Sequence, residues 1–161
     1  MSEEFSLLEE FQDQLGYTFS NLGYLNQALT TRSYSNEHLD EKHNESLATL
    51  GDAVAKIIIT HHAITTLNMT TKGAITDYKN KFETRENFTV RFLAYFPEIN
   101  SDESVILQLL RFGKGEKENR QYLENNFFGE LLEALFGSIF LDTYSDLVRT
   151  SVVIKRILRI K

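Results

Sequence analysis

The sequence predicts an all-α protein, and three observations carry that prediction. Apolar residues recur at helical rather than alternating spacing along nearly the whole chain. Only 1 proline and 8 glycines interrupt 161 residues, so loop punctuation is sparse. Two segments, LGDAVAKIII and FFGELLEALFGSIFLD, are apolar almost all round, the pattern of helices buried in a core.

The elements follow in order. Phe5, Leu7, Leu8, Phe11 and Leu15 form one apolar helical face that stops at Gly16, a C-terminal cap. A short helix is expected from Leu22 to Leu29. The segment SYSNEHLDEKHNE is polar, mixes acids and histidines without period, and reads as a loop. A long helix is expected from about Glu45 to Leu67, buried on all sides, and another from about Ala74 to Tyr95, ending before Pro97. Asp102 can cap the helix ESVILQLLRF, which breaks at Gly113-Lys114-Gly115. The second apolar helix is expected from about Tyr122 to Asp142. A last helix, from about Tyr144, ends in VVIKRILRIK, apolar on one side and basic on the other.

Composition narrows the function classes. With 42% hydrophobic residues the chain can build a sizeable core, and residues 1–161 read as one domain without repeat or linker. The absence of cysteine excludes disulfides and thiolate metal sites. No apolar run approaches the roughly 20 residues that span a bilayer, so no membrane association is expected. The N-terminus MSEEFSLLEE lacks the basic-then-apolar order of a signal peptide, which makes the cytoplasm the expected location. A net charge of -6 argues against a simple electrostatic nucleic-acid binder, which brings a basic surplus to phosphate. An acidic nuclease domain remains compatible, because divalent cations bridge protein and substrate. Its RNA affinity should then be weak and steeply dependent on Mg²⁺ and salt.

The informative residues are carboxylates inside the two most apolar helices. Glu45 and Asp52 lie two turns apart on one helical face, and Glu130 and Glu133 lie one turn apart on another. Burying an ionised carboxylate costs several kcal/mol, on the order of the effective penalty per ion, unless a cation answers it. Carboxylates converging from two helices ask for a metal ion, and carboxylate-bound metals serve phosphate chemistry. A structural alternative stands beside this: Lys56, one turn after Asp52, offers an ordinary helix ion pair. Glu130 and Glu133 could likewise be a solvated stripe, but Leu131, Leu132, Leu135, Phe136, Ile139 and Phe140 cover most of that helix, while small Ala134 and Gly137 leave room beside the acids.

Four segments in this order, LGYTFSNLGYLNQALTTRSYSNE, NESLATLGDAV, GKGEKENRQ and FFGELLEALFGSIFLD, resemble the catalytic domain of ribonuclease III over nearly the whole chain. No segment resembling that family's double-stranded-RNA-binding domain follows. The family's signature reads approximately N-E-R-L-E-F-L-G-D-A, with A-D-x-x-E-A downstream. By this resemblance Glu45, Asp52 and Glu133 match catalytic positions, and Asp52, Glu130 and Glu133 match the acids that hold Mg²⁺, with Mn²⁺ as a possible substitute. The resemblance further implies hydrolysis of duplex RNA by a homodimer with one site per subunit.

The chain departs from that pattern at several positions. Ala48 stands in place of the second signature glutamate, a metal ligand in the family. Thr49 replaces the phenylalanine that plugs into the partner subunit, and Ser46 replaces the arginine. Glu130 stands where an aspartate is usual, and Lys72 stands where many members carry an acid. Three acids can still serve an ion that takes about six oxygens, with water in place of the missing ligand. Glu45 and Glu83 are the available substitutes for the absent side chain at 48. The adjacent His61 and His62 point about 100° apart and do not make a joint ligand pair; His38 and His43 fall in the polar loop, and none of the four is assigned to catalysis. The run Phe112-Gly113-Lys114-Gly115-Glu116 lacks the spacing of a phosphate loop. Lys155, Arg156, Arg159 and Lys161 read as the polar side of an amphipathic terminal helix. Two functions remain: a metal-dependent endoribonuclease, or a catalytically impaired relative that binds RNA or serves assembly.

Overall fold

The structure is a computed structural model that describes residues 3–101, 104–119 and 127–161. Among these residues the chain forms ten α-helices, one 3-10 turn at Pro97–Asn100, and no strand beyond an isolated bridge between Thr30 and Arg111. The all-α expectation holds. The helices are α1 (Glu3–Leu15), α2 (Leu22–Ala28), α3 (Arg32–Glu37), α4 (Glu45–Thr65), α5 (Lys72–Asn80), α6 (Arg85–Tyr95), α7 (Val105–Leu109), α8 (Lys114–Asn119), α9 (Phe127–Asp142) and α10 (Leu147–Leu158).

The two most apolar segments become α4 and α9, and they form the most extensive helix pair in the molecule. Two glycines allow it. A Cβ at Gly51 would collide with the backbone carbonyl of Glu133, and one at Gly137 with the carbonyl of Leu47, so the backbones touch where side chains would hold them apart. Each helix therefore supplies a glycine facing the other's backbone, close beside the acids. On α9, Leu131, Leu132, Leu135, Phe136 and Ile139 are fully buried. At about 1.5–3 kcal/mol each, their burial outweighs the several kcal/mol charged for one acid on the same helix.

The remaining helices wrap this pair. α6 and α2 pack on α9, α10 lies against α6, α9 and α4, and α1 packs on α7. An aromatic cluster ties the layers: Phe92 stacks on Phe128 at 5.1 Å, Phe88 meets Phe136 edge-on at 6.1 Å, and Phe11 stacks on Phe96 at 5.8 Å. α1 buries Leu8, Phe11 and Leu15 on the expected face and ends at Gly16, whose φ of +68° is the left-handed cap.

Several element boundaries differ from expectation, each for a local reason. The single helix expected over 74–95 is two, because Thr84 caps a new start by accepting from the Asn87 amide at 3.1 Å. The polar segment after Thr31 contains α3, capped by the Thr31 hydroxyl and closed by a Tyr34–His38 stack at 3.9 Å. α7 stops at Leu109, because Arg111 leaves the helical path to exchange backbone hydrogen bonds with Leu29 and Thr31. Its cap at Asp102 and the α9 start at Tyr122 lie outside the described residues. Gly115 lies within α8 rather than in a break. α10 starts at Leu147, since Tyr144 and Ser145 take left-handed φ values of 58° and 64° and Asp146 then caps the Val148 and Arg149 amides.

α4 is not buried on all sides as expected. Ile57 and Ile64 are 53% and 49% exposed and share an outer stripe with Thr60 and His61, over which no element lies among the described residues. His62, on the inner side, is buried. No described helix is long and apolar enough to cross a membrane.

Candidate functional site

The acids predicted from two distant stretches of sequence face one another across a cleft. Glu45, Asp52, Glu130 and Glu133 line one open cleft of about 610 Å³, together with Ala48, Thr49, Glu83 and Arg85. α4 supplies one wall through positions 45, 48, 49 and 52, and the first turns of α9 supply the other. The α5–α6 connection closes the third side, bringing Glu83 and Arg85 in. Among the described residues, five carboxylates and a single cation line this space.

Each acid has a different environment. Asp52 accepts from the Lys56 ammonium at 2.6 Å, the helix ion pair legible in the sequence, and this bond raises the Lys56 pKa above its usual value. Glu45 sits at the cleft edge with Arg32 at 3.4 Å and His43 at 3.8 Å. Glu83 pairs with Lys79 at 3.1 Å. Glu130 and Glu133 share one guanidinium, Arg85, at 3.6 and 3.9 Å.

Glu133 is the unusual one. Its side chain is 8% exposed, and no hydrogen bond reaches its carboxylate among the described residues. Burial pushes its carboxyl from 4.5 up to about 7; Asp52 and Glu130 push in the same direction, while Arg85 opposes them. Asp142, at the other end of α9, shows what a structural buried acid looks like in the same helix. It accepts from the Tyr17 hydroxyl at 2.7 Å and from the Ser20 and Asn21 amides at 2.9 and 2.8 Å. Asp142 ties the N-terminal segment to α9; Glu133, among the described residues, has a guanidinium near it at 3.9 Å and no hydrogen bond.

An oxygen-only donor set with surplus negative charge suits a hard divalent cation such as Mg²⁺ or Mn²⁺. The side chains are nevertheless turned to protein cations: among the described residues no three His, Asp or Glu groups stand close enough together to hold a metal ion. Lys56 draws Asp52 along its own helix, Arg85 draws the α9 pair, and Ala48 contributes no carboxylate. The residues thus fit such an ion in chemistry and charge, with the acids on facing walls rather than already converged.

The other sequence candidates sort by contact. Ala48 is buried in the cleft wall, and exposed Thr49 returns its hydroxyl to the Glu45 carbonyl at 3.0 Å. Lys72 opens α5 and does not line the cleft. Glu116 bonds the Ser33 hydroxyl, a tie between α8 and α3. Arg156 donates to the Leu15 and Gly16 carbonyls at 3.1 and 2.7 Å, and Arg159 to the Ala94 carbonyl at 3.2 Å, so half of the basic tail staples helix ends. Sequence reasoning did not single out Arg85. Nothing in its local pattern tells that α6 begins against α9.

Comparison with known proteins gives the same frame. A family model described as Ribonuclease-III-like matches residues 22–160. Ribonuclease 3 of Syntrophobacter fumaroxidans is 35% identical over 143 residues, covering 88% of this chain and 55% of the relative. Ribonuclease 3 of Borreliella burgdorferi is 33% identical over 144 residues, with 88% and 55% covered. The chain therefore spans a little over half the length of these curated relatives. Among solved structures, the nuclease domain of ribonuclease III from Campylobacter jejuni superposes with a TM-score of 0.77 at 18% identity, covering 94% of this chain and 96% of that one; it is described for structural flexibility in its dimer-forming region. A second structure of that nuclease domain gives 0.76 at 18% identity, with 98% and 95% covered. At such identity the superpositions speak for the fold alone, and the family rests on the sequence matches. On those matches the chain belongs to the ribonuclease III family, as a counterpart of its catalytic domain.

Proposed function

We propose that residues 1–161 act as one catalytic domain, a metal-dependent endoribonuclease that cleaves duplex RNA in the cytoplasm by hydrolysis of phosphodiester bonds. The observation that supports this reading is the placement of Asp52 opposite Glu130 and Glu133 in one open acidic cleft. Asp52, Glu130 and Glu133 would hold Mg²⁺, or Mn²⁺ in its place. A divalent ion there would polarise the scissile phosphate and activate water for attack. Glu45, at the cleft edge between Arg32 and His43, would orient water or a neighbouring ligand. Thr49 lines the mouth where duplex would enter.

A homodimer is the proposed working form. The outer stripe of α4, with Ile57 and Ile64 exposed, is the apolar face available for the contact. Thr49 offers no aromatic anchor, which can contribute about 2 kcal/mol or more as a hot spot, so a weaker dimer than one with such an anchor is expected.

Ala48 favours a second reading, an RNA-binding or assembly protein with an impaired site. One experiment separates the two. Purified protein is incubated with labelled duplex RNA and Mg²⁺ or Mn²⁺ beside Asp52→Ala and Ala48→Glu. The nuclease reading expects cleavage that Asp52→Ala lowers by at least a hundredfold. Equal cleavage by the unaltered protein and Asp52→Ala removes it, and activity found only in Ala48→Glu supports the impaired relative.

A further inference from the structure

We infer that Arg85 is a built-in competitor of the divalent cation: its guanidinium neutralises the Glu130–Glu133 pair in the metal-free protein and must leave those oxygens before an ion can bind. This rests on the cation site of the proposed nuclease and adds to it the residue that sets the site's affinity.

Three observations place Arg85 in that role. Its two guanidinium nitrogens reach different acids, Nη1 to Glu130 at 3.6 Å and Nη2 to Glu133 at 3.9 Å. Such a fork spans two carboxylates in a way that the point charge of a lysine does not. Second, its backbone is held against α9. A Cβ at Gly129 would collide with the Arg85 carbonyl, and Gly129 lies one residue before Glu130 and one turn before Glu133. Thr84 caps α6 at this point and fixes its start. The arginine is therefore delivered to the acids by packing, not by a passing side-chain excursion. Third, among the described residues Arg85 is the one cation lining a cleft with five carboxylates, and its side chain is 52% exposed. An exposed guanidinium at distances beyond 3.5 Å can swing to water without breaking the core.

Competition follows from the shared oxygens. The Oε2 atoms that face Arg85 belong to the two α9 residues offered as ion ligands. Guanidinium and ion cannot both sit between them, so the free energy holding Arg85 there is subtracted from the binding of the ion. Ala48 deepens the effect, since the cleft has one carboxylate fewer to recruit the ion once Arg85 has moved.

The test measures Mn²⁺ binding by the RNA-free protein, using electron paramagnetic resonance of free Mn²⁺ at pH 8.5, where protons do not take the arginine's place. Arg85→Gln is expected to bind Mn²⁺ at least tenfold more tightly than the unaltered chain, and Arg85→Lys to fall between them. Mg²⁺ titration of arginine-labelled protein supplies a second readout: one Nε–H resonance, absent from Arg85→Gln, should shift as the guanidinium is released. Unchanged or weaker Mn²⁺ binding in a folded Arg85→Gln protein overturns the competition and leaves the nuclease reading standing. Absence of Mn²⁺ binding to both proteins at millimolar concentration overturns the two together.

Discussion

Glu133 carries the largest electrostatic tension in the cleft. An acid whose pKa is about 7 in the folded chain and 4.5 when exposed adds stability while protonated. That contribution is present below pH 4.5 and lost as pH rises through 7. The shift corresponds to roughly 3 kcal/mol of metal-free stability between those limits. Glu133→Gln removes the titration, so it should melt close to the unaltered protein at pH 4 and roughly 5 °C or more higher at pH 8.5. A melting difference that stays constant across this range would mean that Glu133 is not strained by its burial. The same residue shows how a site and a stable core pull apart. Asp142 is equally buried yet answered by three donors, whereas the Glu133 carboxylate has only the Arg85 guanidinium at 3.9 Å among the described residues.

At the scale of elements, the α4–α9 crossing decides where the acids stand. Gly51 touches the carbonyl of Glu133, and Gly137 the carbonyl of Leu47, so the two carboxylate-bearing helices meet backbone to backbone. Gly51→Ala should cost about 3 kcal/mol or more, because the obstructing atom is main chain and cannot rotate away. Thermal unfolding followed by circular dichroism checks this; a melting point within 1–2 °C of the parent, on the order of the shift from half a kcal/mol, would contradict so close a crossing. The helical class and some buried faces were legible from apolar spacing, as in Leu8, Phe11 and Leu15 of α1, but α3 fell in a segment that read as a loop. Boundaries were not legible. Thr84 divides an apparently continuous helix, and Arg111 leaves α7 for a bridge formed with residues some 80 positions earlier.

For the molecule as a whole, the α4 stripe left exposed among the described residues bears on assembly. Sedimentation equilibrium of the unaltered chain is expected to report twice the 18.6 kDa chain mass. Ile57→Glu places a charge on a position 53% exposed in one chain and should return the 18.6 kDa monomer without loss of helix content. A monomer already present in the unaltered protein across micromolar concentrations would remove the homodimer.

What the sequence determined by itself was the all-α class, the two most apolar helices and the acids they carry. Helical period, apolar faces and carboxylate spacing are properties of a single segment, and one segment is enough to read them. Only the tertiary structure decided that Glu83 and Arg85 join the cleft, that Asp142 is a structural anchor, and that one side of α4 lies open. Those outcomes depend on where the α5–α6 connection meets α9 and on which helix faces find cover. Both are set by long-range packing, which no local pattern records.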